Sequence, residues 1–273
     1  MSRVVTFSRL GRLGRLGNSA FQVASTIGIA RKNGFDYAFP LWRNFDGLTV
    51  EKDIDIDVYK HLLHPLPRYQ GPPLPERSVG WGYHDVVLSA GASLHGYLQS
   101  SRYFRHCLDE VRHYLRMRDE PPLNGLVALH VRRGDYAAGG GYHTPLPMDY
   151  YARALARLGR DERVLVFSDD VREARRMFGD GFEYSEGRGY LEDFRLMKRC
   201  KHFIIGNSSY SAMAAILGEH PDKQVVAPRP WFGPAAGITG EDIYDESWHV
   251  VDWEPMPDGG DPSTTSAPSG TAS

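Results

Sequence analysis

The sequence predicts an α/β protein built on doubly wound parallel sheets, and three observations lead there. Short apolar runs at 126–131, 164–167, 202–205 and 224–227 alternate with helical stretches of about ten residues. Strands that read as continuous apolar runs are covered on both faces, which is the habit of parallel sheets. The chain also opens with a β-branched run, a glycine-punctuated turn and a helical stretch, the order of a βα unit. Finally, 273 residues with 41% hydrophobic, 24% charged and 12% aromatic side chains suit one large folded domain or two compact ones.

The elements follow in order. Residues 3–7 read as the first strand, Gly11 to Gly17 as a turn, 19–33 as a helix and 37–39 as a second strand. The stretch 44–91 is irregular, because Pro65, Pro67, Pro72, Pro73 and Pro75 interrupt any long element. A strand is expected at 94–98. Residues 100–118 have helical spacing, with Phe104, Leu108, Val111 and Leu115 on one face. The polar, proline-bearing stretch 119–125 marks a boundary between halves. Beyond it, helices at 148–158, 171–178, 191–199 and 208–217 separate the four apolar strands, and ligands of such sheets sit beyond the strands' carboxyl ends. These readings give domains over 1–120 and 121–256. The Gly, Pro, Ser and Thr of the last residues have nothing apolar to pack, so 257–273 is expected to be a disordered tail.

Thirty-two basic and thirty-four acidic side chains give a net charge of −2, so no global field draws the chain to nucleic acid or anionic lipid. The cations are skewed to arginine, twenty-six against six lysines, which supplies planar forks suited to phosphate. Cys107 and Cys200 are too few for a disulfide framework or a zinc site, and read as structural thiols within helical stretches. No apolar run approaches the ~18 residues of a membrane span, and residues 1–8 carry no apolar signal core. A soluble cytoplasmic protein is expected, with peripheral association with a membrane left open.

The residues that carry chemistry fall at strand ends. His130-Val-Arg-Arg-Gly-Asp-Tyr136 runs from an apolar strand into a loop. Arginines placed there would aim forked donors at the ligand crevice, each charge-assisted contact contributing about 1.5–3 kcal/mol. Phe167-Ser-Asp-Asp170 ends the next strand; Asp169 and Asp170 could accept from a nucleoside, although Asp170 would also serve as a helix N-cap. Gly206-Asn-Ser-Ser-Tyr-Ser211 opens a helix whose first amides and positive dipole end favour an anion. Gly14-Arg-Leu-Gly-Asn18 ends the first strand in a glycine turn that lets backbone approach a ligand closely.

Together with Leu94-His-Gly-Tyr-Leu-Gln-Ser100 and Leu196-Met-Lys-Arg-Cys-Lys-His-Phe-Ile-Ile205, these segments resemble, in order, the motifs of the α1,2-fucosyltransferases of glycosyltransferase family 11. The match spans most of residues 3–227 and is looser between Phe45 and Ser93. The resemblance implies a GT-B-like pair of Rossmann-like domains facing a cleft. It also implies inverting transfer of fucose from GDP-fucose to the 2-hydroxyl of a galactoside, with no metal and no further cofactor. Carried over, it makes His130, Arg132, Arg133, Asp169, Asp170, Asn207, Ser208, Ser209 and Ser211 donor-binding residues, with Arg133 as the diphosphate contact. Arg133, Asn18 and Asp135 become catalytic candidates, and Tyr97, Gln99 and His143 fall on the acceptor side. Three departures stand out: Ser19 and Val23 replace a Gln and a Tyr, and Ala212-Met213 replaces a pair of tryptophans.

Loss of GDP leaves negative charge on the departing diphosphate while the sugar gains oxocarbenium character. Preformed donors can meet that charge, and removing one costs about 10²–10³ in rate. Asp135, His143 and Asn18 are the candidates for handling the acceptor hydroxyl. The Asp-x-Asp triplets at 53–57, a pattern that can hold manganese, alternate with Ile54, Ile56 and Val58 and read instead as a half-buried strand. Three competing readings remain. They are a transferase with another GDP-sugar or acceptor hydroxyl, a non-catalytic sugar-nucleotide or glycan binder, and a nucleic-acid binder using Arg9, Arg12 and Arg15, the last opposed by the neutral overall charge.

Overall fold

The computed structural model describes residues 3–44, 56–117, 121–137, 141–159 and 162–254. The tail expected at 257–273 and the acidic residues Asp53 and Asp55 lie outside the described residues. The first half runs β1 (Val4–Thr6), α1 (Leu16–Lys32), β2 (Asp36–Tyr37), β3 (Arg43–Asn44), β4 (Ile56–Asp57), β5 (Glu76–Ser78), β6 (Ala92–His95) and α2 (Leu108–Leu115). The second runs β7 (Leu123–Val131), α3 (Gly134–Ala137), α4 (Met148–Leu158), β8 (Arg163–Ser168), α5 (Val171–Phe178) and β9 (Glu183–Tyr184). It continues through α6 (Tyr190–Lys198), β10 (Cys200–Ile204), α7 (Ser209–Leu217), β11 (Val225–Arg229) and β12 (His249–Asp252).

Two parallel sheets result, in the orders β2-β1-β6-β5 and β12-β11-β10-β7-β8-β9, beside a small antiparallel pair β3-β4. This is the expected doubly wound α/β architecture. In each sheet the winding reverses next to the strand that begins it, between β1 and β6 and between β7 and β10. Such switch points open a crevice at the strands' carboxyl ends.

Side-chain alternation along β7 sorts the two faces of the larger sheet. Val127, Leu129 and Val131 pack with Tyr150, Tyr151 and Ala154 of α4, whereas Ala128 joins the cluster on the opposite face. That second cluster is continuous from Val5 and Phe21 of the first half to Phe203 and Val225 of the second. Its centre is α1 against α7. Both helices are buried nearly all round, and their small residues allow close approach. A Cβ on Gly28 would lie 2.0 Å from the carbonyl oxygen of Tyr103.

That contact accounts for one departure from the sequence reading. The helix expected over 100–118 is broken at Phe104, whose φ of −132° and ψ of 2° separate two short 3₁₀ turns, and only Leu108–Leu115 is α-helical. The break brings the Tyr103 backbone onto α1. Helix α1 begins at Leu16, three residues before the expected start, with no side-chain cap. Residues Leu123 to Gly125, read as part of a boundary, are the first turn of pairing in β7. Cys200 opens β10 and is not helical; burial pushes its thiol up to about 12 and that of Cys107 to about 11, so both stay protonated thiols. Strands β5, β9 and β12 escaped the sequence because edge strands, solvated along one side, need no apolar run.

Candidate active site

The two switch points face each other across one cleft of about 560 Å³. From the first half, the β1–α1 loop supplies Gly14 and Arg15, the first turn of α1 supplies Leu16 to Asn18, and the segment after β6 supplies Tyr97 and Gln99. From the second, His130 lies at the end of β7 with Arg132 and Tyr136 just beyond it, Ser168 ends β8 with Asp169 next, Asn207 and Ser208 join β10 to α7, and Ser209 and Tyr210 open α7.

The floor is made by two helix N-termini. Gly17 in the first turn of α1 lies so close to the start of α7 that a Cβ there would sit 2.3 Å from the Tyr210 amide nitrogen. Only glycine lets the two ends meet. The first amides of a helix have no intrahelical acceptor and carry the positive end of the macrodipole. Two such ends converging on one cleft form a site for an anion. Gly14 has a φ of +79°, and a Cβ there would fall 2.0 Å from the Asn18 side chain, so the turn is reserved for glycine on two grounds. Asn18 Oδ1 accepts a hydrogen bond from Gln99 Nε2, tying the start of α1 to the segment after β6 at the cleft.

The paired arginines separate. Arg132 continues the face of Ala128 and His130 and enters the cleft, where its Nη1 lies 2.9 Å from Asp169 Oδ2 and its guanidinium sits 5.4 Å from the Tyr136 ring centre. Arg133, expected to contact the diphosphate, continues the face of Val131 and is only 6% exposed. Its Nε and Nη2 lie 3.1 and 2.7 Å from the sulfur of Met177, and it does not line the cleft. Strand geometry places the two expected donors apart: consecutive residues of an extended chain point to opposite sides. The backbone N–H of Arg133 donates to Asp169 Oδ1 at 2.9 Å, so one carboxylate steadies both residues.

Two other expected donor contacts are also placed elsewhere. Asp170 Oδ1 accepts from the Glu173 amide at 3.0 Å and caps α5, and Ser211 is wholly buried, its hydroxyl turned back to the Ser208 carbonyl at 3.3 Å. Neither lines the cleft. Asp135 lies on α3, its side chain outside the described residues. Asn18, Tyr97, Gln99, His130, His143, Asp169, Asn207, Ser208 and Ser209 are brought together as cleft-lining residues.

His130 is buried against Tyr210, with ring centres 5.6 Å apart, and burial followed by the Arg132 charge drives its pKa down to about 3. It is therefore a neutral ring with its Nδ1 unpartnered in a polar wall. Asn207 donates to the Thr144 carbonyl at 3.0 Å, and its own carbonyl accepts from Tyr136 Oη at 3.0 Å; its side-chain oxygen has no partner. Two buried polar atoms, His130 Nδ1 and Asn207 Oδ1, thus stand without hydrogen-bond partners near the helix amides.

Six lining residues, Trp81, Tyr142, Tyr190, Asp193, Trp231 and Phe232, were missed by sequence reasoning. Asp193, in the first turn of α6, accepts from Ser185 Oγ at 2.5 Å, and burial raises its pKa above the ordinary carboxylate value. Trp81, Tyr142 and Phe232 come from irregular segments where no periodicity marks them. Among the described residues no group of three or more His, Cys, Asp or Glu could hold a metal ion, and no helix is long and apolar enough to cross a membrane.

Comparison with known proteins agrees with this architecture. The family model of glycosyl transferase family 11 matches residues 92–252. The O-antigen biosynthesis glycosyltransferase WbnK of Escherichia coli is 39% identical over 133 residues, covering 45% of this chain and 43% of that protein. The alpha-1,2-colitosyltransferase of Escherichia coli is 28% identical over 159 residues, covering 50% and 55%. The chain thus spans about half the length of the curated relatives it matches. The crystal structure of fucosyltransferase NodZ from Bradyrhizobium superposes with a TM-score of 0.50 at 16% identity, over 80% of this chain and 94% of that one, a likeness of fold.

Proposed function

The chain belongs to glycosyl transferase family 11, and from that premise we propose that it transfers L-fucose from GDP-fucose to the 2-hydroxyl of a galactoside, inverting the anomeric carbon without a metal. The observation that carries the reading is the convergence of the α1 and α7 N-termini with Arg132 in one cleft between the carboxyl ends of two parallel sheets.

In this reading residues 121–256 hold the donor and 1–120 face the acceptor. The diphosphate lies over the helix amides, with Ser208 and Ser209 beside it and the Arg132 guanidinium alongside. As the fucosyl–phosphate bond breaks, charge accumulates on oxygens already surrounded by fixed donors, so little reorganisation opposes the step. Asp169 holds Arg132 in place through the 2.9 Å pair and so acts as a positioning residue. Asn18 and Gln99 orient the acceptor hydroxyl from the opposite wall. For the acceptor's proton, His130 is too weak a base at about 3. Asp193, with its raised pKa, and His143 are the two groups in the described lining suited to take it.

The donor sugar is the finer part of the proposal. One relative bears the name of a colitosyltransferase, which favours a second reading in which another deoxysugar is transferred from GDP by the same machinery. The test is a panel of GDP-fucose, GDP-colitose and GDP-mannose against lactose and N-acetyllactosamine, with linkage analysis of any product. GDP release coupled to an α1,2-fucosylated product supports the proposal. Tight GDP binding with no transfer to any acceptor would favour a non-catalytic binder instead.

A further inference from the structure

Helix α1 is buried nearly all round, yet one of its faces is polar. Asn18, Gln22 and Ser25 stand at i, i+4 and i+7, so they lie on a single stripe. Gln22 and Ser25 are wholly buried. Each of the three is bonded outside the helix, to a segment that runs into the cleft. Asn18 Oδ1 accepts from Gln99, Gln22 Nε2 donates to the Leu13 carbonyl at 2.9 Å, and Ser25 Oγ donates to the Leu98 carbonyl at 2.9 Å. A serine inside a helix ordinarily returns its hydroxyl to a carbonyl of the preceding turn. Ser25 instead reaches a residue 73 positions further along the chain.

The residue it reaches has an uncommon backbone. Leu98 has a φ of +54°, the one non-glycine residue in the left-handed region among the described residues, and its side chain is 2% exposed in the core. A bulky residue keeps such a conformation only where its surroundings impose it, and such positions gather at functional sites. Here the Leu98 carbonyl also accepts from the Ser100 amide at 2.9 Å, which closes a three-residue turn with Gln99 at its middle. Ser100 is buried as well, and the next residue is anchored where Ser101 Oγ donates to Asp245 Oδ2 at 2.7 Å. Gln99 thus stands at the apex of a turn pinned on both sides, and of the turn's three side chains it is the one that lines the cleft. When Gln99 Nε2 donates to Asn18 Oδ1, Asn18 Nδ2 remains a donor and Gln99 Oε1 an acceptor. A hydroxyl, which donates and accepts at once, satisfies both.

We propose that Ser25 and Leu98 are positioning residues for the acceptor hydroxyl: the Ser25 bond and the left-handed Leu98 backbone fix Gln99 at the apex of its turn, and Gln99 in turn fixes the Asn18 amide. The inference rests on the transferase reading above and deepens it. Neither Ser25 nor Leu98 lines the cleft, so their effect passes through Gln99 and falls on transfer, not on donor affinity.

The test is a double-mutant cycle in the full chain. Turnover with GDP-fucose and lactose, the Kd for GDP by calorimetry, and thermal melting are measured for Ser25→Ala, Gln99→Ala and the double variant. Ser25→Ala should lower kcat by about tenfold, as a misplaced orienting group does, while the Kd for GDP stays within about twofold and a cooperative melting transition is kept. The double variant should match Gln99→Ala alone to within about twofold, because residues that act as one unit do not add. Losses that multiply in the double variant overturn the proposal, since Ser25 would then act independently of Gln99. A Ser25→Ala enzyme with the wild-type kcat overturns it too, and either result leaves the transferase reading standing. A Ser25→Ala chain that loses its melting transition and its GDP binding together also overturns it, by assigning Ser25 to the fold alone. Absence of transfer by the wild type to lactose or N-acetyllactosamine removes the transferase reading and this proposal with it.

Discussion

Separation of the two arginines gives the sharpest prediction. Replacing Arg132 by Ala removes a guanidinium that is 15% exposed, paired with Asp169 at 2.9 Å and directed into the cleft. A charge-assisted contact to a diphosphate contributes about 1.5–3 kcal/mol, which is roughly a 10- to 150-fold rise in the Kd for GDP. Stabilisation that grows as the leaving group charges is larger, so turnover should fall by about 10²–10³. Arg133→Met is the control. It replaces a buried side chain that touches the Met177 sulfur by another apolar stem of similar length, and its backbone bond to Asp169 is kept. GDP affinity should stay within about threefold and any loss should appear in thermal stability. Calorimetric titration with GDP and single-turnover GDP release measure both variants. If Arg133→Met loses GDP affinity while Arg132→Ala keeps it, the alternation argument is wrong and Arg133 reaches the ligand.

Other expectations follow from the same geometry. Gly17→Ala places a methyl 2.3 Å from the Tyr210 amide, where only backbone can yield, so α1 and α7 must part; a loss of about 1–3 kcal/mol in unfolding free energy with weakened GDP binding is expected, and a stable variant with full affinity would refute the meeting of helix ends. His130 stays neutral in the fold to about pH 3 but takes a proton near 6.5 when unfolded, so the unfolded state binds more protons between those values. Stability should therefore fall as pH drops from 6.5 towards 3, by a few kcal/mol from this group, and denaturant melts of His130→Asn should show a shallower pH slope than wild type. The carboxyl of Asp193 ionises above the ordinary range, so the acid limb of kcat/KM should lie above the usual carboxylate pKa, vanish in Asp193→Asn and persist in His143→Gln; the reverse pattern would assign the proton to His143. Turnover should be unaffected by EDTA, since Arg132 and the helix ends supply the positive field; loss of activity restored by manganese would contradict this.

Much of the architecture was legible because parallel strands covered on both faces must be apolar throughout. The runs ending at Val131, Phe167 and Ile205 could hardly be anything else, and the helices at Met148–Leu158 and Val171–Phe178 carry the matching amphipathic period. The turn at Gly14 to Asn18 and the hydroxyls after β10 were legible as loop chemistry at strand ends. Edge strands, the break at Phe104 and the first turn of α1 were not, because each is settled by a neighbour distant in sequence.

By itself, then, the order of apolar runs and glycine turns determined which residues stand at the carboxyl ends of strands, since that depends only on local periodicity. Tertiary structure decided which of them share a cleft and which way each faces. Arg132 and Arg133 are adjacent in the chain yet their side chains take opposite sides, Asp170 caps the start of α5, and the Ser211 hydroxyl turns inward to the Ser208 carbonyl. Trp81 and Phe232, far apart in sequence, meet at 5.2 Å only because α1 and α7 bring two sheets face to face. Those relations are set by packing across long sequence separations, which no local pattern encodes.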